Sequence, residues 1–383
     1  MFAWVCARVL GLGVCLPWRF LRPRVALTLA VVGALACALP FDNPYRKYGG
    51  SDTRDIAEMS CRRAPGVDVR WIELEDSTES GIITKWCATV GPVVVRDFAT
   101  PLTGPLDSLV MISWNVHVGG GDIPALVEGL RSGALTGAPV DRFVLLLQEV
   151  HRTGDDVPAH DEDFVPARIE SAPPQGPRMD VVEVAEVLEL SVFYVPSRRN
   201  GKLLSGATEE DRGNAILSTE PLTDLAAIEL PFEKMRRVPA VATITGEATS
   251  GHPWRIRIVN VHLSNRSQLS YHFGTGGMVG RLRQARAICA AVTETPAAVA
   301  GDFNTWAPSA VERSLHVMRR HFPLPAEYDR SPTFAVRFAP DRRIDYFFFR
   351  LEDAQGATYR RLDDRYGSDH FPLIATVRFD GNL

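Results

Sequence analysis

Short apolar runs, each closed by a polar side chain, are the feature that most constrains the fold of this chain. The runs at 109–116 and 142–150 have unbroken apolar centres, which is typical of strands covered on both faces. Further strands are predicted at 190–195, 215–218, 240–245, 256–263, 297–300, 343–349 and 371–379. Helices are predicted at 123–131, 180–188, 279–292 and 308–321. Many strands with few helices between them predict sheet packed on sheet, flanked by helices.

The stretch Gly301-Asp302-Phe303-Asn304 follows one of these apolar runs directly. The order predicts a buried strand that ends at a turn carrying a carboxylate and a carboxamide two residues apart. Because side chains two residues apart in a strand point the same way, both groups would be delivered together. A base and a hydrogen-bond donor at one place suit the attack of water on a charged ester.

Polar side chains close or interrupt the other apolar runs in the same manner. They are Asn115, Glu149, Asn260, His262, Asp345, Asp369 and His370. An unpaired charge beside an apolar strand is costly, so we expect these groups to converge on one wet, metal-holding site. Taken singly, each also has a simpler explanation: Glu149 as a solvated loop start, His262 as a satisfied strand histidine, Asp345 as an ion partner of Arg343. The joint pattern favours the single site.

Three segments carry a family resemblance: 301–304 (GDFN), 368–372 (SDHFP) and 212–218 (RGNAILS). Because of these segments, the region from about 108 to 380 resembles the endonuclease/exonuclease/phosphatase superfamily, which has the fold of pancreatic-type deoxyribonuclease. The resemblance implies an α/β protein with a four-layer α/β/β/α sandwich of two mixed sheets. It places the site at one end of the two sheets.

The resemblance also implies a role for each polar residue. Asp302 would orient or deprotonate the attacking water, while His370 and Asn304 would contact the phosphate. Asp345 would orient His370, and His262 would be a second phosphate-facing histidine. The implied metal residues are Glu149, Asn115 and Asp369, and Asn260 and Asn214 are the candidate substrate contacts. Trp306, just past the 301–304 segment, is a further candidate that would stack on a base or lipid headgroup, with ordinary packing as its alternative.

One departure from the family concerns the metal. Abasic-site endonucleases have an acidic ligand two residues after the asparagine that matches Asn115, whereas this chain has His117. This difference weakens the prediction of a two-metal site and of a role in DNA repair.

Residues 1–41 have the order of an export signal or membrane anchor. Arg19, Arg22 and Arg24 precede an apolar run at 25–39 that ends in small residues. The run is short for a membrane span of about 20 residues. A cleaved signal, a retained anchor and a lipid-carrying Cys37 are alternatives, beside a buried helix of a cytosolic protein. We expect an exported protein, either periplasmic, secreted or membrane-anchored.

Residues 42–107 precede the main domain, which we place at 108–383. They contain a polar linker and two strand-like runs, 67–72 and 82–95, which predict a small N-terminal β appendage or extra edge strands of the main domain. If the protein is exported, Cys61 and Cys87 have the opportunity to form a disulfide.

Together these features predict an Mg²⁺-dependent hydrolase of phosphodiesters, with Mn²⁺ or Ca²⁺ as alternative ions. Nucleic acid is the first substrate class, although the net charge of −4 gives no overall signal for it. The alternatives are a lipid phosphodiesterase of the sphingomyelinase type or a phosphoinositide phosphatase and, more remotely, an inactive binding domain. We expect a monomer, with membrane attachment through the N-terminus as an option.

Overall fold

The computed structural model describes most of the chain outside its first 58 residues. The described residues are 4–9, 12–17, 45–48, 59–74, 79–100, 102–158, 177–200, 210–265, 277–323, 325, 327–336, 341–353 and 355–379. The chain divides into two compact units, Met1–Asn43 and Pro44–Leu383.

In the first unit, Trp4–Val9 (β1) and Leu12–Pro17 (β2) form an antiparallel pair. The apolar run at 25–39, where the leader is predicted, lies outside the described residues. Among the residues that are described, no helix is long and apolar enough to cross a membrane.

One sheet of the second unit has eight described strands, and its central strands lead to the site. They are Val94–Arg96 (β5), Ser108–Asn115 (β6), Phe143–Thr153 (β7), Ser191–Arg199 (β8), Glu210–Ser218 (β9), Glu327–Tyr328 (β14), Gly356–Arg361 (β16) and Leu373–Arg378 (β17). Their order is β14-β16-β17-β6-β7-β9-β8-β5. The sheet is mixed, because β6 runs parallel to β7 and antiparallel to β17.

The other sheet has seven described strands and is also mixed. They are Tyr45–Tyr48 (β3), Arg70–Leu74 (β4), Thr223–Ile228 (β10), Ala240–Glu247 (β11), Pro253–His262 (β12), Ala297–Asp302 (β13) and Asp345–Arg350 (β15). Their order is β15-β13-β12-β11-β10-β4-β3. Strand β13 is parallel to β12 and antiparallel to β15.

Five α-helices are described, at Ser80–Cys87 (α1), Ile123–Arg131 (α2), Val181–Val187 (α3), Met278–Ala291 (α4) and Arg313–His321 (α5). Asp122 and Asp180 each cap a helix start, because their carboxylates accept backbone N–H groups of the first turn of α2 and α3. The predicted helix at 123–131 is confirmed.

Three apolar clusters define four layers. Between the sheets, Met111 and Leu146 of one sheet share a cluster with Ile258 of the other. Helices α2 and α3 cover the outer face of the eight-stranded sheet, and α4 and α5 cover the outer face of the seven-stranded sheet. The predicted α/β/β/α sandwich of two mixed sheets is confirmed.

The segment before the main domain differs from its prediction in one respect. The run at 82–95 is not a strand, because its first half forms α1 and only Val94–Arg96 is extended. Helix α1 buries Ile83, Trp86 and Cys87, and a disulfide joins Cys87 to Cys61. Strand β4 pairs with β10 and β5 pairs with β8, so this segment adds strands to both sheets. This is the second of the two predicted arrangements.

Candidate active site

Strand register brings the predicted polar residues to one end of the two sheets. His262 at the end of β12 lies opposite Asp302 at the end of β13, and Asp302 lies opposite Asp345 at the start of β15. Asn115 ends β6 in the other sheet, yet its Nδ2 donates to Oδ2 of Asp302 over 3.1 Å. The two sheets therefore meet at this carboxylate.

The turn at the end of β13 requires its glycine. Gly301 has φ of 146°, and a Cβ there would lie 1.8 Å from the carbonyl oxygen of Val261. Beyond it, the backbone N–H of Asn304 donates to Oδ1 of Asp302 over 2.7 Å. The turn thus fixes the direction of the Asp302 carboxylate.

Asp302, Asp345 and His370 form a buried cluster that we call the acid–histidine group. Ligand atoms of the three lie within 4.8 Å of one another. Nδ1 of His370 is 2.9 Å from Oδ2 of Asp345, and its Nε2 is 3.9 Å from Oδ2 of Asp302. The predicted orienting contact between Asp345 and His370 is therefore present, and the other ring nitrogen faces Asp302.

Burial and neighbouring charges act in opposite directions on the pKa values of His370 and Asp302. Burial lowers the pKa of His370, but Asp345, Asp302 and Asp369 together raise it to about 10. Burial raises the pKa of Asp302 more than His370 and the donors from Asn304 and Asn115 lower it. His370 is thus held as an imidazolium by a carboxylate, beside a second carboxylate that ionises less readily than usual.

Glu149 reaches the site through a bulge in β7. The register of β7 against β9 shifts between Gln148 and Val150, and Glu149 between them has φ of 56°. A bulge adds one residue to a strand and changes the direction of its side chain. The sequence predicted the strand end here, whereas the strand continues to Thr153 and the bulge turns Glu149 outward.

Three arginines surround Glu149, and we call these four residues the arginine group. Nη2 of Arg198 is 3.5 Å from Oε1 of Glu149, and Nη1 of Arg212 is 3.2 Å from Oε2. Arg237, in the connection between β10 and β11, completes the group and contacts His262. All three arginines are buried, and the Nε of each has no hydrogen-bond partner among the described residues.

The pKa shifts in the arginine group oppose those in the acid–histidine group. Burial raises the pKa of Glu149, but the guanidiniums of Arg212, Arg198 and Arg237 outweigh it and hold that pKa far below its usual range. Burial, followed by repulsion from the other two arginines, lowers the pKa of Arg198 despite Glu149. Positive charge is therefore in excess around this carboxylate.

His262 joins the two groups, and its tautomer follows from its contacts. Nη1 of Arg237 is 2.9 Å from Nδ1 of His262. Because a guanidinium only donates, Nδ1 accepts and the ring proton lies on Nε2. Nε2 is 3.4 Å from Oδ2 of Asp302 and 3.8 Å from Oε1 of Glu149. Burial and Arg237 also lower the pKa of His262 well below its usual value, so His262 is a neutral donor.

The side chain of Asn304, which the sequence predicts to contact the phosphate, is hydrogen-bonded to other groups of the protein. Its Nδ2 donates to the carbonyl oxygen of Leu263 over 2.9 Å and to Oδ2 of Asp302 over 3.2 Å. An amide has two N–H groups, so both are used within the protein. Asn304 therefore positions Asp302 instead of donating to a phosphate oxygen.

Two predicted substrate contacts are structural. Asn260 is fully buried, donates to carbonyl oxygens of β7 and β9, and accepts from Nε2 of Gln148, so it links the two sheets beneath the site. Asn214 is also buried and donates to the carbonyl oxygen of Val238. Asn260 thus uses both of its carboxamide N–H groups inside the protein, and Asn214 uses one.

Asp369 and Trp306 lie at the rim of the site. The side chain of Asp369 is 38% exposed, and its Oδ1 is 3.9 Å from both Nδ1 of His117 and Nε2 of His370. The ring of Trp306, also 38% exposed, packs on Phe334, whose ring packs in turn on His370. Trp306 is thus one ring removed from His370, a position open to substrate.

Asn115 at the end of β6 and Glu149 at the bulge of β7 carry the oxygen donors that the sequence predicts for a divalent cation, and Arg198 and Arg212 contact the same Glu149 carboxylate. Asn115 lies opposite Gln148, the residue before Glu149, so its carboxamide and the ionised carboxylate stand on neighbouring strands. Oxygen donors of this kind suit Mg²⁺, which keeps several of its waters. Asp369 is exposed and lies on the His370 side, so its part in the same ion sphere stays a prediction.

Sequence reasoning assigned no role to the arginines or to Phe334. Arg212 opens the motif at 212–218, and Arg198 and Arg237 each belong to an arginine pair beside an apolar run. Such pairs are a usable signal, because a buried guanidinium needs an anionic partner. Phe334 lies in an irregular segment whose path no pattern predicts.

Comparison with known proteins identifies relatives of the whole site-bearing region. A sequence model described as the Endonuclease/Exonuclease/phosphatase family matches residues 112–370, more than half of the chain. No curated protein matches.

Three solved structures illustrate the structural similarity. An endonuclease/exonuclease/phosphatase from Beutenbergia cavernae DSM 12333 is 21% identical, with a TM-score of 0.48 and 72% of each chain covered. Humanized D. rerio TDP2 is 19% identical, with a TM-score of 0.41 over 72% of this chain and 100% of the other. Sphingomyelinase C from Streptomyces griseocarneus is 15% identical, with a TM-score of 0.42 over 71% and 99%.

Proposed function

Because the chain belongs to the endonuclease/exonuclease/phosphatase family, whose members are generally hydrolytic phosphoesterases, we propose that it is a divalent-metal-dependent phosphodiesterase acting on nucleic acid. The observation that carries this proposal is the gathering of His262, Asp302, His370 and Glu149 at one end of the sheets, where Nε2 of His262 faces Asp302 and Glu149 and Nε2 of His370 faces Asp302. These buried charged groups suit the reaction of water with a phosphodiester.

Asp302 is the proton acceptor for the attacking water. Its carboxylate is fixed by the backbone of Asn304 and by the side-chain amides of Asn304 and Asn115. These bonds hold the carboxylate in one geometry, which lowers the entropic cost of aligning water with phosphorus. General-base action of this kind contributes about 10²–10⁴-fold to a rate.

The two histidines act on the phosphoryl oxygens as donors of different charge. His370 is held as an imidazolium by Asp345 and offers Nε2. His262 is neutral and offers its Nε2 proton, because Arg237 occupies Nδ1. Fixed donors aimed at developing negative charge stabilise the transition state without reorganisation.

Glu149 and Asn115 are the residues that would hold Mg²⁺, or Mn²⁺ or Ca²⁺ in its place. Such an ion, when bound, supplies positive charge to a phosphoryl oxygen. The arginine group supports an anionic substrate for the same site, because its three guanidiniums exceed its single carboxylate. A zwitterionic choline headgroup gains less from this charge than a polyanion does.

A substrate panel tests the proposal directly. The purified protein is incubated with Mg²⁺ and plasmid DNA, RNA, sphingomyelin or phosphoinositides, and each product is quantified. We expect acid-soluble nucleotides, loss of all activity in EDTA and recovery on adding Mg²⁺. Activity that persists in EDTA would remove the ion from the mechanism.

Other outcomes of the same panel would assign a different function. Release of phosphocholine would indicate a sphingomyelinase-type enzyme, and release of inorganic phosphate from phosphoinositides would indicate a lipid phosphatase. Binding of a substrate without any turnover would indicate an inactive binding domain of this fold.

Export of the protein is a further part of the proposal. The Cys61–Cys87 disulfide supports it, because disulfides persist mainly in oxidising compartments. Fractionation of cells that express the full chain, with mass spectrometry of its N-terminus, would distinguish a cleaved signal from a retained or lipidated anchor. We also propose a monomer, which light scattering of the purified protein would test.

A further inference from the structure

We call the cavity that is lined in part by Thr305, the residue after Asn304, the outer pocket. Its volume is about 420 Å³, and its lining includes Arg319, Arg330, Arg342, Arg343 and Asp341. Four arginines and one aspartate therefore line the same cavity. Among the side chains that the structure describes, no ion pair joins any of these four arginines to an acid.

The one acidic group of the outer pocket is partly used by the backbone. Oδ1 of Asp341 accepts the N–H of Val336 over 3.1 Å. The Nε of Arg319 is buried and has no hydrogen-bond partner among the described residues. A cavity that concentrates positive charge and leaves a buried donor unpaired is suited to an anion.

Aromatic packing holds the inner wall of the pocket rigid. The guanidinium of Arg343 lies 4.8 Å from the ring centroid of Tyr328 and 4.7 Å from that of Tyr346, and it also contacts the hydroxyl of Tyr359. Arg330 lies 5.3 Å from the Tyr328 ring on the exposed side. Ring packing holds these guanidiniums in place, and the planar guanidinium is the group whose N–H geometry matches phosphate oxygens.

The outer pocket shares its wall with the catalytic turn. Thr305, which lines the pocket, directly follows Asn304, and its hydroxyl is 3.4 Å from the carbonyl oxygen of Arg343. Arg343 stands two residues before Asp345, the residue that orients His370. The wall of the outer pocket is therefore continuous in sequence with the residues that hold Asp302 and His370.

We propose that the outer pocket binds a second phosphate of the substrate, a backbone phosphate of a nucleic acid strand flanking the scissile one. The inference rests on the proposed function and adds to it a substrate with more than one phosphate. It makes Arg319 and Arg330 specificity-determining residues that contact neither the scissile phosphate nor the attacking water.

Equilibrium binding tests the pocket independently of turnover. A fluorescein-labelled single-stranded DNA of about ten nucleotides is titrated with the full chain in EDTA, and anisotropy is followed at several salt concentrations. The double variant Arg319→Gln/Arg330→Gln is compared with wild type. These positions are chosen because Arg343 is packed into the wall and its loss would disturb the fold.

We expect the double variant to bind about ten-fold more weakly. Its slope of log affinity against log salt should fall by about 0.7 for each phosphate that the variant no longer neutralises, as single strands release counterions on binding. A methylphosphonate oligomer of the same sequence, which lacks the charged phosphates, should not distinguish the variant from wild type.

The matched control removes two arginines at the opposite ends of the sheets. Arg96 lies in β5 opposite Val192, and Arg255 lies in β12 opposite Thr245, so both are far along their strands from the site. Arg96→Gln/Arg255→Gln should leave affinity and salt slope within about two-fold of wild type. Near-ultraviolet circular dichroism of both double variants checks that the fold is kept.

Three results would overturn the inference. One is equal affinity and salt slope in the Arg319/Arg330 variant and wild type, and another is an equal loss in the control variant. The third is stronger binding of inositol trisphosphate than of DNA, abolished by the same variant, which would assign the pocket to a phosphoinositide. Failure of the proposed function is separate, because it would appear as absent hydrolysis by wild type in Mg²⁺.

Discussion

The two halves of the active site use the same residue type in opposite ways. In the acid–histidine group, burial dominates and raises the pKa of the Asp302 carboxyl. In the arginine group, the surrounding guanidiniums dominate and lower the pKa of the Glu149 carboxyl. The two carboxylates are separated only by the ring of His262, whose Nε2 faces both. In the proposed mechanism, environment and not residue identity assigns one carboxylate to proton transfer and the other to binding charge.

The difference also shows in how completely each half is hydrogen-bonded. Both oxygens of Asp302 accept bonds from Asn115 and Asn304, and Asp345 is held by His370. In the arginine group, by contrast, three buried Nε atoms have no partner within the described part of the chain. A satisfied half is rigid and suited to chemistry, whereas a half with spare donors is suited to receiving an anion.

The largest expected effect comes from removing the carboxylate of the first half. Asp302→Asn keeps the shape and loses the proton acceptor, so kcat on a small diester such as bis(p-nitrophenyl) phosphate should fall by about 10³-fold. Asp363→Asn is the control, because that side chain is 99% exposed. Near-normal kcat in a folded Asp302→Asn protein would contradict the division of roles.

A smaller effect is expected from the carboxylate that only orients. Asp345→Asn should lower kcat by about 10²-fold, and the alkaline limb of the rate profile should move to lower pH. The sign follows because Asp345 raises the pKa of His370, so without its charge the imidazolium loses its proton at lower pH. The measurement is kcat against pH. An unmoved limb would show that His370 does not act as a cation.

A change of opposite sign is expected in the arginine group. Arg198→Met retains apolar packing and removes one cation beside Glu149. Because like charges at this range repel by a few kcal/mol, Mg²⁺ should bind about ten-fold more tightly to the variant. The Michaelis constant for DNA should rise in the same variant. Isothermal titration calorimetry measures the ion, and Arg96→Met is the control. Weaker Mg²⁺ binding would mean that Arg198 organises Glu149 instead of competing with the ion.

The smallest effect concerns stability at the border of the arginine group. His151 is buried in β7, and burial lowers its pKa below the ordinary value of 6.5. The unfolded chain therefore takes up a proton at a pH where the folded chain does not, so stability is complete above pH 6.5 and falls as the pH drops below it. In urea titrations from about pH 7.5 to about 5, His151→Gln should reduce the dependence of the unfolding free energy on pH. An unchanged dependence would place the titrating group elsewhere.

The sequence predicted most of the architecture because strand patterns are local. Strands near 109–116 and 297–300, the helix at 123–131 and the four-layer packing are confirmed. It failed at 82–95, where β-branched and aromatic residues have the composition of a strand. There the helix is stabilised by burial of Ile83 and Trp86 and by the link from Cys87 to Cys61, contacts that no local pattern encodes.

For the site, the sequence determined by itself which polar residues stand beside the apolar runs, and Asp302, Asp345 and His370 were candidates on that pattern together with the family resemblance. Only the tertiary structure decided what each of them faces. It turned Asn260 into a link between sheets and Asn304 into a support for Asp302, and it placed Arg237 on His262. The physical reason is that a strand's period fixes the face on which a side chain lies, whereas its partner comes from another sheet whose distance and register only packing determines.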